Sequence, residues 1–294
     1  MRNRPVVVLM ILLVQGLAGA VRPSPAQVSS SGSNTKSPPT GTLFDPFGAL
    51  EKKLVFFPAR YPDGNWQPRG FSFEDAWFRS ADGVRLHGWY LPHERPRAVV
   101  LFCHGNGGNV AHWAGVLRIL KEQVGAAVLG FDYRGYGRSE GKPGEAGVYA
   151  DARAARAWLA GRAGIPEKRV VLMGRSLGGA VAVDLAASDG ARGLVLESTF
   201  TSIPEVAADR YPLLPATLLM PMQFNSLAKI RKYRGPLLQS HGDADRVVPY
   251  KLGRKLFDAA NEPKQFVTIR RGDHNDPQTA EYYQALVAFL SRLD

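Results

Sequence analysis

From Leu43 onward, short apolar runs alternate with longer stretches whose apolar positions recur at helical spacing. The short runs predict strands over 76–79, 85–91, 98–103, 126–131, 170–173, 193–196, 236–240 and 266–269. The longer stretches predict helices over 110–124, 145–160, 177–187, 248–260 and 277–293. Most of the strands are apolar on both faces, which requires cover from both sides. The expected fold is therefore α/β: a mostly parallel central sheet of about eight strands with helices on both faces. The first two strands, joined by a turn at Asp82-Gly83, add an antiparallel edge.

Two segments break this rhythm. Residues 198–225 carry Pro204, Pro212, Pro215 and Pro221 around the run LLPATLLM. That is too long for a plain connection and predicts a cap inserted over the strand ends. The N-terminus begins with Arg2 and Arg4, continues with an unbroken apolar run over 6–14, and reaches the small residues Ala18-Gly19-Ala20. The apolar stretch 6–21 contains Gln15 and falls short of the usual spanning length of about 18 residues or more. Residues 1–20 are therefore expected to be a signal peptide and the protein to be exported, periplasmic or secreted. The alternative is a retained N-terminal anchor with the domain outside the cytoplasm. Val21, not Cys, follows the cleavage position, so a lipid-anchored route is not indicated. Residues 21–42, rich in Ser, Pro, Gly and Asn, read as a disordered linker before a domain over 43–294.

Composition narrows the function classes. Apolar residues make up 45% of the 294, enough for a sizeable core, and charged residues 21%. The net charge of +11 favours anionic partners, including acidic lipid surfaces, so peripheral membrane contact is an expectation. There is no basic stripe interleaved with aromatics and no nucleic-acid motif, so nucleic acid is not an expected partner. The single cysteine, Cys103, rules out an intramolecular disulfide and reads as a buried strand residue.

Candidate chemistry follows from context. The pattern Gly-x-Ser-x-Gly occurs twice. Gly174-Arg175-Ser176-Leu177-Gly178 follows the apolar run VVLM and opens an Ala-rich helix, the strand–turn–helix setting of a nucleophile elbow. Gly137-Arg138-Ser139-Glu140-Gly141 runs into Lys142-Pro143, where no helix starts, so Ser139 reads as a turn hydroxyl. Ser176 is thus the candidate nucleophile. The N–H of Leu177 is the first expected oxyanion donor. The N–H of Asn106, in His104-Gly105-Asn106-Gly107-Gly108 after the third strand, is the second. His274 lies after the last strand and before the last helix, where such a fold places its base; His87, His93, His104, His112 and His241 fit that role less well. The acid should follow the seventh strand, which ends HGDADRVVP. Asp245 is preferred over Asp243 because the loop must pass the strand tip to meet His274, and Glu197 is a third candidate. The triad accounts for the late His and Asp positions without a metal, and no cofactor is expected.

The strings FFPARYP, EDAWFRSADGVRLHGWYLP, HGNGGN, FDYRGYGRSEG, GRSLGGA, FNSLAKI, HGDADRVVP and GDHND resemble the small α/β-hydrolase-domain branch of the α/β-hydrolase superfamily. That branch includes the eukaryotic protein depalmitoylases and bacterial lysophospholipase-like or serine aminopeptidase-like proteins. The resemblance spans about residues 43–294. It implies the triad Ser176, Asp245 and His274, and it supports Asp245 over Asp243 because the family acid sits four residues after the His of its motif. Gly-Asp-His stands where Gly-Gly-His is commoner, so Asp273 is expected to alter local charge only. The Cys-rich N-terminus of the animal depalmitoylases is absent, so palmitoyl-protein substrates do not carry over.

The expected activity is hydrolysis of carboxylic esters or thioesters through an acyl-enzyme, on a small acyl-ester or lipid-like substrate. A serine peptidase is the alternative, with Glu205 and Asp209 as the acids an aminopeptidase needs. A non-catalytic lipid- or partner-binding module is the third reading. The cluster Lys229, Arg231, Lys232 and Arg234 is either a contact for anionic head groups or a solvated helix end.

Overall fold

The computed structural model of the chain describes residues 55–70, 72–213 and 220–293. The expected signal peptide and linker, the start of the domain at 43–54 and residues 214–219 of the expected cap lie outside the described residues. Eight strands form one sheet: β1 (Glu74–Arg79), β2 (Arg85–Leu91), β3 (Val99–Cys103), β4 (Ala127–Asp132), β5 (Val171–Arg175), β6 (Gly193–Glu197), β7 (Leu237–Gly242) and β8 (Lys264–Ile269). Their spatial order is β1-β2-β4-β3-β5-β6-β7-β8. The pairs β1–β2 and β2–β4 are antiparallel and the others parallel. The β1–β2 turn closes where Gly83, at φ +85°, takes the left-handed conformation that glycine adopts without a Cβ clash.

Alternation along the strands divides the core into two layers. On β3, Val99, Leu101 and Cys103 face one layer, and Val100 and Phe102 the other. The first layer is covered by α2 (Glu145–Ala163) and α3 (Leu177–Asp189), with contributions from α5 (Ser226–Ile230) and α6 (Tyr250–Ala259). The second is covered by α1 (Ala114–Glu122) and α7 (Ala280–Ser291). Helix α3 is buried from Leu177 to Ala186, so its small residues pack against neighbours on every side.

The predicted helix over 110–124 divides in two. A 3-10 turn, Val110–Trp113, precedes α1. The Asn109 side chain accepts from Ala111 N–H and Asp132 Oδ1 accepts from Val110 N–H, so the first donors are met outside regular helix geometry. Within 198–225, α4 (Ile203–Arg210) starts at an N-cap where Ser202 Oγ accepts from Glu205 N–H at 3.2 Å. Met222 and Phe224 return to the core, held by Glu145, whose carboxylate accepts the N–H groups of Gln223 and Phe224.

The loop after β4 supports the loop after β3. Tyr133 Oη donates to the His104 carbonyl and Tyr136 Oη to that of Asn106, both at 2.9 Å. This support is anchored by Arg134, whose guanidinium reaches Asp151 at 2.7 Å and Asp82 at 2.6 Å. Asp151 has no exposed surface, and burial raises its pKa against the opposing effect of Arg134. Removing one partner of a buried pair strands the other. Arg134→Met should therefore lower unfolding free energy by about 3–5 kcal/mol, and Arg134→Met with Asp151→Leu by less, as read by urea denaturation.

Candidate active site

Strand β5 ends and α3 begins with almost no space between them. A Cβ at Gly174 would lie 2.1 Å from the Gly178 carbonyl oxygen, and a Cβ at Gly178 would lie 2.0 Å from that of Cys103. Only glycine fits either position. The turn between them holds Ser176 at φ 53°, ψ −118°, a conformation that costs a non-glycine residue about 1–3 kcal/mol. Neighbouring groups hold it there: Ser176 N–H donates to the Glu197 carbonyl, and Thr199 Oγ1 donates to the Ser176 carbonyl, both at 2.9 Å. Ser176 is the half-buried tip, and the N–H of Leu177 lies in the first helical turn, where no intrahelical acceptor exists.

The loops after β7 and β8 are knitted together. Asp243 N–H donates to the Ile269 carbonyl and Ala244 N–H to that of Gly272. This brings Asp245 Oδ2 to 2.8 Å from His274 Nδ1, and His274 Nε2 to 3.1 Å from Ser176 Oγ. Side chains 98 positions apart in the chain thus meet at the carboxyl edge of the sheet. Burial works to raise the Asp245 pKa. Hydrogen bonds from His241 and His274, with the N–H of Val248, outweigh it and hold the carboxyl well below its usual range. The N–H groups of Val247 and Val248 both donate to Asp245 Oδ1 at 2.8 Å.

The other sequence candidates take different places. Asp243 Oδ1 accepts from Arg271 N–H, and Glu197 is buried beside Arg175, 3.9 Å from its Nη1. Asp273 pairs with Arg246, accepts the His274 N–H at 2.8 Å, and has its pKa lowered to about 2, chiefly by Arg246. The Asn106 side chain bonds the Val55 carbonyl and the Phe57 N–H, which fixes the loop after β3. Ser139 closes a turn, as expected, and is fully buried there: its Oγ donates to the Asp132 carbonyl and accepts the His87 N–H. Burial pushes the Cys103 thiol up to about 12, which leaves it protonated and inert. Among the described residues, no group of three or more His, Cys, Asp and Glu side chains is placed to hold a metal ion.

Two neighbours of the Ser176–His274–Asp245 cluster were given no role from the sequence. Arg175, immediately before Ser176, donates from Nη2 to the carbonyls of His274 at 2.7 Å and Asp276 at 3.1 Å. It ties the strand carrying the serine to the loop carrying the imidazole. Its signal was a charged residue at the end of an apolar strand. His241 is fully buried, with Nε2 2.9 Å from the Val248 carbonyl and 3.2 Å from Asp245 Oδ2, so one N–H is shared between them. Its signal was its spacing, four residues before Asp245.

A sheet of this order, with a serine elbow and a His–Asp pair at its carboxyl edge, defines the hydrolase class. Residues 98–226 match the family model described as alpha/beta hydrolase fold. The uncharacterised protein Rv2307c of Mycobacterium tuberculosis (strain ATCC 25618 / H37Rv) is 40% identical over 230 residues, covering 78% of this chain and 82% of that protein. The alpha/beta hydrolase domain-containing protein WAV2 of Arabidopsis thaliana is 34% identical, covering 83% and 88%. The chain belongs to the α/β-hydrolase superfamily, in its small-domain branch. Among solved structures, the Pyrococcus furiosus esterase Pf2001 superposes with a TM-score of 0.65 at 24% identity, over 80% of this chain and 99% of that one, a likeness of fold.

The depressed Asp245 pKa makes a signed prediction. A group whose folded pKa lies below its unfolded value of about 3.9 stabilises the protein above that pH, and loses this as pH falls through the folded pKa. Unfolding free energy should therefore decline below about pH 4, and Asp245→Asn should flatten that decline, measured by urea titrations at stepped pH.

Proposed function

We propose that the chain is a serine hydrolase that cleaves carboxylic esters or thioesters through an acyl-enzyme intermediate. The observation that carries this reading is the unbroken relay Ser176 Oγ, His274, Asp245, at 3.1 and 2.8 Å. His274 Nε2 takes the hydroxyl proton as Ser176 attacks the acyl carbonyl, while Asp245 keeps the proton on Nδ1 and stabilises the imidazolium. The low pKa of Asp245 suits that role, because the carboxylate stays charged in its buried place. The amides of Leu177 and Asn106 receive the oxyanion, aided by the N-terminal dipole of α3. His274 then returns the proton to the leaving group, and water releases the acyl chain by the same steps in reverse.

The peptidase alternative is disfavoured. The two acids it needs are neutralised: Glu205 bonds Lys255 Nζ at 2.8 Å, and Asp209 pairs with Lys251. Both pairs join α4 to α6 and leave no free carboxylate there for a substrate amine. The protein should label with a fluorophosphonate probe and hydrolyse p-nitrophenyl acetate, while Ser176→Ala does neither. Turnover retained in that variant would overturn the proposal. Asp245→Asn should lower kcat by about 10⁴ with little change in KM, and aminoacyl p-nitroanilides should remain uncleaved by the wild type.

A further inference from the structure

The cationic run at the end of α5 plays no part in the chemistry above. Lys229, its first member, is neutralised within the fold: its Nζ lies 2.8 Å from Asp184 Oδ1 and 4.2 Å from the Tyr149 ring centroid. Arg231, Lys232 and Arg234 are exposed and lead into β7 at its amino end. The same pole of the sheet receives Lys168 and Arg169, exposed in the 3-10 turn before β5. Hydrogen bonds join the two groups. Arg192 N–H donates to the Val170 carbonyl, Leu194 N–H to that of Pro236, and Tyr233 Oη to that of Ala191. Asn261 donates to the carbonyls of Arg231 and Tyr233, closing the patch toward β8. The acids alongside are occupied: Glu167 and Asp189 pair with Arg156 and Arg153, and Glu262 accepts the N–H of Lys264.

We infer that this amino-edge face, carrying Lys168, Arg169, Arg231, Lys232 and Arg234, docks the protein on an anionic lipid surface. The five cations stand on two chain segments, the turn before β5 and the run after α5, and are exposed, so they read charge density rather than the shape of one small ligand. The partner is therefore an extended anionic surface. A bilayer is favoured over a soluble polyanion because the apolar run over 6–14, expected to be a signal peptide or an anchor, would bring the chain to a membrane. Among the described residues no helix is long and apolar enough to cross a membrane. The parallel strands separate this pole from the triad by roughly 16 Å or more, and a docked protein keeps its catalytic edge open to substrate.

The test uses the full chain and sedimentation with phosphatidylcholine vesicles, with and without 30% phosphatidylglycerol. The wild type should bind the anionic vesicles more tightly and lose that excess between about 0.1 and 0.5 M salt. Replacing all five cations by Gln should reduce anionic-vesicle binding at least about a hundredfold, from roughly fivefold per charge, with ester hydrolysis unchanged. Arg270→Gln with Arg271→Gln, at the carboxyl edge, should leave binding as it was. The inference is overturned if the five-fold variant binds like the wild type, or if the Arg270/Arg271 variant loses as much. It is equally overturned if neutral vesicles bind as well, or if dextran sulfate binds and vesicles do not. Absence of hydrolysis would bear on the catalytic proposal alone.

Discussion

Much of the site depends on how closely β5 and α3 approach one another. With Gly174 and Gly178 in contact through the Gly178 carbonyl, the chain has one residue in which to reverse direction, and that residue is Ser176. The strain at φ 53° is held by a hydrogen bond to the Glu197 carbonyl of β6 and one from Thr199 rather than relieved. The result is a hydroxyl lifted clear of both elements, with the helix N-terminus directly behind it. A side chain at either glycine would separate strand from helix and lower the serine into the sheet.

A rigid serine is useful only if the imidazole arrives from the right direction, and that is arranged by buried polar groups. Arg175 holds the His274 loop by two carbonyls while sitting beside buried Glu197. His241 and two backbone amides hold Asp245. Each of these groups is expensive to bury alone and inexpensive when satisfied, so the loops have few other arrangements. The loop after β3 is fixed by the same logic, through Tyr133, Tyr136 and the Asn106 side chain.

The strands were readable to within two residues, and the five helices expected over them to within four, because both faces of this sheet are covered. A doubly buried strand is a continuous apolar run, and the helices over it are either apolar along one stripe, as in α1 and α6, or small-residue-rich and buried all round, as in α3. Where hydrogen bonding rather than burial sets the geometry, the reading was coarser. The 3-10 turn at Val110–Trp113 depends on Asp132, and α5 on its Asn225 cap. Neither has an apolar period long enough to register. Ser139 shows the same limit: the residues around it read as a turn, but its hydroxyl is consumed deep inside by Asp132 and His87.

What the sequence determined alone was the fold class and the elbow, because these follow from local periodicity and from glycines that only a tight turn requires. Loop length and the family resemblance favoured Asp245 over Asp243, and the structure brings Asp245 to His274 and Asp243 to the Arg271 N–H. What only the tertiary structure decided was the partnering of charges: Arg175 with the histidine loop, Glu205 and Asp209 with lysines, Lys229 with Asp184, and a cluster of exposed cations at the amino edge. Charge pairing depends on distances between elements remote in the chain, and those distances exist only once the sheet has assembled.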